Sequence, residues 1–111
     1  MNKKIAIIGG GNLGTAIAEG LISSGFIHPD HILVTKRKIE TLKPLEEKGV
    51  LISNNNVEAV RYADWIILAV KPFQIREILL QLKPHLDTHR HTLVSVMTGI
   101  WIKDIQDIIG N

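Results

Sequence analysis

Residues 5–20, IAIIGGGNLGTAIAEG, pass from a four-residue apolar run through three consecutive glycines into a small-residue stretch of helical period. Gly9, Gly11 and Gly14 make the pattern G-x-G-x-x-G, which carries meaning where a buried strand ends and a helix begins. There Gly9 allows the tight turn, Gly11 lets a pyrophosphate approach the main chain, and Gly14 lets the helix pack close to the strand. The helix N-terminus adds unpaired N–H groups and the positive end of a dipole, both suited to phosphate. The competing reading is a glycine-rich structural turn capped by Asn12. The apolar run before the glycines and the small residues after them favour a dinucleotide site, and no Gly-Lys-Ser/Thr follows to make a Walker A loop.

The rest of the chain repeats the strand-then-helix alternation. Residues 3–8 (KKIAII), 32–35 (ILVT), 50–53 (VLIS), 65–70 (WIILAV) and 92–97 (TLVSVM) read as strands. They are almost continuously apolar, as parallel strands covered on both faces are. Between them, Leu13, Ile17 and Leu21 recur at helical spacing, as do Ile75, Ile78, Leu79 and Leu82 after Pro72. Shorter helices are expected around 45–48 and 57–62, and a fifth over 101–109. Pro72 suits a first helical turn, and Gly25 and Gly49 fall where helices should stop. This alternation predicts an α/β fold: a doubly wound parallel sheet of Rossmann type, strand order 3-2-1-4-5, in one domain over residues 1–111.

Composition narrows the function. The 111 residues include no cysteine, so no disulfide framework or thiolate metal site is expected, and the chain reads as cytoplasmic. The apolar stretch near the N-terminus is too short for a membrane span. Thirteen basic residues are dispersed among 11 acidic ones for a net charge of +2, which argues against a nucleic-acid stripe. His28, His31, His85, His89 and His91 are not spaced as metal ligands on one helix face, and His89 and His91 read as a surface loop.

A local charge cluster bears on which dinucleotide is bound. NAD-binding sites of this type carry an Asp or Glu at the end of the second strand for the ribose 2′-hydroxyl. Here that position holds Thr35, Lys36, Arg37 and Lys38, with no acid. Three cations at the start of the next helix oppose its dipole, so an anion is expected among them. The 2′-phosphate of NADP(H) fits. With roughly 1.5–3 kcal/mol per charge-assisted hydrogen bond, one or two such bonds give on the order of 10- to 1000-fold preference over NAD(H).

Taken together, IAIIGGGNLGTAIAEGLISSG, the basic turn after ILVT, Asn56 ahead of a helix, AVKP at 69–72 and SVMTG at 95–99 resemble the N-terminal half of pyrroline-5-carboxylate reductase, from Ile5 to Ile109. That family reduces 1-pyrroline-5-carboxylate to proline with a hydride from NAD(P)H. The resemblance implies that Ile8, Gly9, Gly10, Gly11, Asn12 and Leu13 form the phosphate-binding turn. It sets Lys36 at the adenosine ribose or its 2′-phosphate and Asn56 on the adenosine side, where a cap for the helix from Val57 is an equally good reading. Ala69, Val70, Lys71 and Pro72 fall beside the nicotinamide ribose, with Thr98 and Gly99 near the nicotinamide itself. It implies no catalytic residue in this chain. Met97 and Thr98 stand where the family has two alanines, which leaves a different imine open as substrate.

The family also continues into an all-helical domain that dimerises and supplies most of the substrate site. The resemblance therefore implies a cofactor-binding domain of a homo-oligomeric enzyme, little turnover by these residues alone, and a fifth strand left as an outer edge. A reading from another class, a non-catalytic nucleotide-sensing Rossmann module, uses the same glycines. The basic turn and AVKP favour the reductase.

Overall fold

The computed structural model describes residues 3–96. Five strands, β1 (Ile5–Ile8), β2 (Ile32–Thr35), β3 (Leu51–Ser53), β4 (Trp65–Leu68) and β5 (Thr92–Ser95), pair in parallel in the order β3-β2-β1-β4-β5. Four helices cross between them: α1 (Asn12–Ser23), α2 (Lys43–Glu47), α3 (Asn56–Tyr62) and α4 (Ile75–Leu82). This is the doubly wound sheet expected from the sequence. Residues 97–111, with the fifth helix expected over 101–109, lie outside the described residues. No helix among the described residues is long and apolar enough to cross a membrane.

The continuous apolar runs follow from burial on both faces. Every residue of β1 and β2 is buried. Side chains alternate between two core layers. Ile5 and Ile7 pack with Ile32, Val34, Ala18, Leu42 and Leu45 on one face. Ala6 and Ile8 pack with Leu33, Ile66, Leu68, Ala59, Val60, Leu79 and Leu82 on the other. The outer strands β3 and β5 are only partly covered.

Strands are shorter than the apolar runs that announce them. Val50 is buried, but its N–H donates to the Leu45 carbonyl at 3.2 Å, so it closes the α2 turn and β3 begins one residue later. Ala69 still donates to the Ile8 carbonyl at 2.9 Å as the chain leaves β4. Gly25 and Gly49 follow α1 and α2 with φ of +73° and +98°, the left-handed conformation with which helices commonly end.

Asp64 and Arg90 tie the N-terminal ends of three strands together. The Lys4 N–H donates to Asp64 Oδ2 at 3.1 Å, and the Asp64 N–H returns to the Lys4 carbonyl at 2.8 Å. Thr92 donates to the Asp64 carbonyl at 2.9 Å. Arg90 reaches Asp64 Oδ1 at 3.5 Å and donates to the Arg61 carbonyl at 2.9 Å. The Lys4 N–H, followed by the Arg90 hydrogen bond and charge, holds the Asp64 carboxyl below its ordinary range. A depressed folded-state pKa contributes stability above the unfolded value that is lost as pH falls through the folded one. Thermal melts should therefore show part of the loss between about pH 5 and about pH 3 disappearing in Asp64→Asn. An unchanged acid slope would remove Asp64 from the account.

His91, read from sequence as a surface loop residue, is instead half-buried. Its Nδ1 accepts from Asp87 N–H at 2.9 Å and its Nε2 lies 3.0 Å from the Val60 carbonyl, so it braces the turn before β5 against α3.

Candidate functional site

Strand order reverses at β1, which has β2 on one side and β4 on the other. Ligands of doubly wound sheets bind in the crevice at such a switch point, outside the carboxyl ends of the strands. A cavity of about 1090 Å³ lies there, lined by the segments that follow the five strands and by one face of α4.

The glycine turn forms its centre. Gly9 has φ +102°, and a Cβ on it would stand 2.8 Å from the Ala69 carbonyl oxygen and 2.9 Å from Val70 Cγ1. The turn after β1 is therefore pressed against the one after β4, with no space for a side chain. Thr35, at the end of β2, holds it from the other side. The Thr35 carbonyl accepts from Gly9 at 3.2 Å and Gly10 at 2.7 Å, and its Oγ1 lies 3.4 Å from Gly9 N. Thr15 Oγ1 donates to the Gly10 carbonyl at 3.2 Å.

Gly11 differs, because nothing lies within 4 Å of a Cβ built there. It is the N-cap of α1, with no side-chain cap and no acid in the first turn. The first intrahelical bond runs from Thr15 N–H to the Gly11 carbonyl at 2.9 Å, so the N–H groups of Asn12, Leu13 and Gly14 have no acceptor within the helix. Open space, free donors and a dipole end coincide at one point, which is what a phosphate requires. Asn12 is the first helical residue rather than the cap.

Lys36, Arg37 and Lys38 all line the same crevice. Lys36 is half-buried and its N–H donates to the Ser53 carbonyl at 3.1 Å; Arg37 and Lys38 are exposed. None of the three has an acidic partner among the described residues. The expected helix start is corrected: these residues form a bend before a 3₁₀ turn, Ile39–Leu42, and α2 begins only at Lys43. No α-helix dipole opposes them. Their case as an anion site rests on uncompensated charge at the crevice.

Asn56 lines the crevice, but it is not the helix cap. Asn55 is, its Oδ1 accepting from Val57 N–H at 2.9 Å and Glu58 N–H at 3.2 Å. Ala69, Val70, Lys71 and Pro72 form the far wall, where Gln74 Oε1 accepts from Lys71 N–H at 3.2 Å.

Of the residues expected from sequence, Ile8 through Leu13, Thr35, Lys36, Arg37, Asn56 and Ala69 through Pro72 meet in this crevice. Gly14 does not. It is buried behind the turn, where its Cβ would collide with the Gly9 carbonyl oxygen. Thr98 and Gly99 lie outside the described residues. Sequence reading missed Asn54, Gln74, Glu77, Ile78, Gln81 and Val96, which also line the crevice. Glu77, Ile78 and Gln81 lie on α4 and Gln74 immediately before it. Ile78 is half-buried and also packs against the core that holds Ile75, Leu79 and Leu82, whereas Glu77 and Gln81 are exposed.

Residues 4–99 match the model of a family described as NADP oxidoreductase, coenzyme F420-dependent. Pyrroline-5-carboxylate reductase 2 of Dictyostelium discoideum is 40% identical over 106 residues, covering 95% of this chain and 35% of that protein. A solved pyrroline-5-carboxylate reductase from Coxiella burnetii superposes with a TM-score of 0.92 at 33% identity, covering all of this chain and 41% of that one. At 24% identity and a TM-score of 0.84, the Plasmodium falciparum pyrroline carboxylate reductase, solved with NADP bound, shares the fold. The chain thus spans little more than a third of the length of these relatives.

Proposed function

Because the chain belongs to the family described as NADP oxidoreductase, coenzyme F420-dependent, we propose that its crevice holds NADP(H) in preference to NAD(H), and that it serves as the cofactor-binding part of a pyrroline-5-carboxylate reductase. The observation that carries the cofactor reading is the pairing of a bare helix N-terminus at Gly11 with three cations after β2 that no described acid neutralises. The donors at Asn12 and Leu13 take the pyrophosphate, and Thr35 keeps the glycine turn in register beneath it. Lys36 and Arg37 take the 2′-phosphate. Ala69 to Pro72 fix the ribose on the β4 side. When bound, NADP(H) supplies the hydride that reduces a C=N bond, as the names of the relatives at 33% and 40% identity imply for their own substrate. The acid–base and substrate groups belong to residues beyond this crevice, in a helical domain through which the full enzyme forms a homo-oligomer. Its place is the cytoplasm.

Calorimetric titration should show NADPH binding at least about tenfold more tightly than NADH. Equal affinities would defeat the 2′-phosphate assignment. The reductase half is tested by grafting these residues in place of the matching portion of the Coxiella enzyme. NADPH-dependent reduction of 1-pyrroline-5-carboxylate is expected. A folded chimera that binds NADPH but reduces only another cyclic imine, or none, would shift the reading to a different imine or to a nucleotide-sensing module.

A further inference from the structure

Asn54, Asn55 and Asn56 follow β3 in direct succession, and the fold divides their work. Asn55 caps α3, which releases the Asn56 amide from capping. Asn56 is half-buried in the crevice wall, and its Nδ2 donates to Gln81 Oε1 at 3.3 Å, joining the start of α3 to α4. Both residues line the crevice. Asn56 Oδ1 takes no hydrogen bond from any described residue, so the amide is held at its donor end and open at its acceptor end.

We infer that Gln81 is a positioning residue for nucleotide binding. It grips the Asn56 amide nitrogen, so that Oδ1 is presented to a hydrogen-bond donor on the adenosine half of the dinucleotide, either a ribose hydroxyl or the purine 6-amino group. The inference rests on the NADP(H) reading above. In that reading the pyrophosphate lies at α1 and the adenosine ribose at the end of β2. Because β3 lies beyond β2 on the side away from β1, the purine end runs toward the segment that carries Asn56.

The terminal torsion of an asparagine is broad and two-fold. Without Gln81, the amide presents its nitrogen as readily as its oxygen, and a ligand donor then meets a donor. Gln81 itself is exposed, while Leu79 and Leu82 of the same helix face the core, so removing its amide does not disturb packing.

The test is a binding cycle on this chain: wild type, Gln81→Met, Asn56→Ala and the double variant, each titrated with NADPH. Gln81→Met is expected to weaken binding by about 3- to 10-fold with an unchanged thermal midpoint, and to cause no further loss once Asn56 is Ala. Titrating wild type with the analogue that carries hypoxanthine in place of adenine separates the two donors. Weaker binding assigns the 6-amino group, and equal binding assigns a ribose hydroxyl. Wild-type affinity in Gln81→Met, or a loss that persists in full on the Asn56→Ala background, would overturn the coupling and leave the NADP(H) reading standing. A wild-type chain that binds no NADPH would overturn both.

Discussion

Gly11→Ala will keep the fold and weaken nucleotide binding, whereas Gly14→Ala will destabilise the fold. The two positions are three residues apart in one motif, but a methyl group meets different surroundings at each. At Gly11 nothing lies within 4 Å of the added Cβ, and the backbone, at φ −75° and ψ −161°, is open to any L-residue. Alanine is a poorer N-cap than glycine, and the reduced freedom of the unfolded chain offsets that by about 0.4–1 kcal/mol. The thermal midpoint should therefore move little. The methyl nonetheless occupies the space through which a pyrophosphate must approach the main chain, and overpacking of about 1–3 kcal/mol corresponds to a loss of NADPH affinity of about 5- to 150-fold.

At Gly14 the Cβ collides with the Gly9 carbonyl oxygen, with the Gly9 carbonyl carbon at 3.1 Å and Ile7 Cγ2 at 3.3 Å. The obstacle is main chain that Gly9, Thr35 and Ala69 hold in place, so it cannot yield as a side chain does. A cost of about 3 kcal/mol or more lowers the midpoint by on the order of 10 °C or more. Thermal melts and NADPH titrations of the two variants separate the effects. If Gly11→Ala binds NADPH as tightly as wild type, the phosphate does not sit at the helix mouth.

The sheet was legible because burial on both faces forces near-continuous apolar strands, and the alternation with helices leaves few topologies. The glycine turn was legible because its glycines stand at fixed offsets: Gly9 and Gly14 are bare because a side chain would collide with main chain, and Gly11 leaves open space at the helix mouth. Other features were hidden for equally physical reasons. Three consecutive asparagines have the same capping propensity, and only the direction in which the chain enters α3 makes Asn55 the cap and frees Asn56. The bend at 36–38 reads from sequence as a helix start, but the true start is marked by Pro44: proline at the beginning of α2 has no N–H to lose, and residues 39–42 close as a 3₁₀ turn ahead of it. The crevice face of α4 was not legible because polar residues on a helix carry no spacing that separates a ligand-facing side from a solvated one. Gln74, Glu77 and Gln81 look like a solvated face until the sheet brings them opposite the glycine turn.

Neutralising Lys36 and Arg37 together will abolish the preference for NADPH while sparing NADH. Both side chains line the crevice at the end of β2, and neither is engaged by an acid among the described residues. Without a ligand they repel each other and Lys38, so replacing them with Met and Gln breaks no ion pair among the described residues and should not lower the thermal midpoint. With NADPH bound, each would contribute a charge-assisted hydrogen bond to a phosphate that NADH lacks. With two bonds at roughly 1.5–3 kcal/mol each, the affinity for NADPH should fall on the order of 100- to 10,000-fold, and that for NADH by less than about threefold. The salt dependence should follow the same division. Raising ionic strength from about 0.05 M to about 0.5 M shortens the screening length severalfold, which weakens NADPH binding to the wild type and leaves the variant nearly unaffected. Parallel losses for both cofactors would mean that the cations act on the pyrophosphate or on the fold of the bend. No loss for either would mean that they belong to the solvated surface, and that the crevice selects its dinucleotide by other residues.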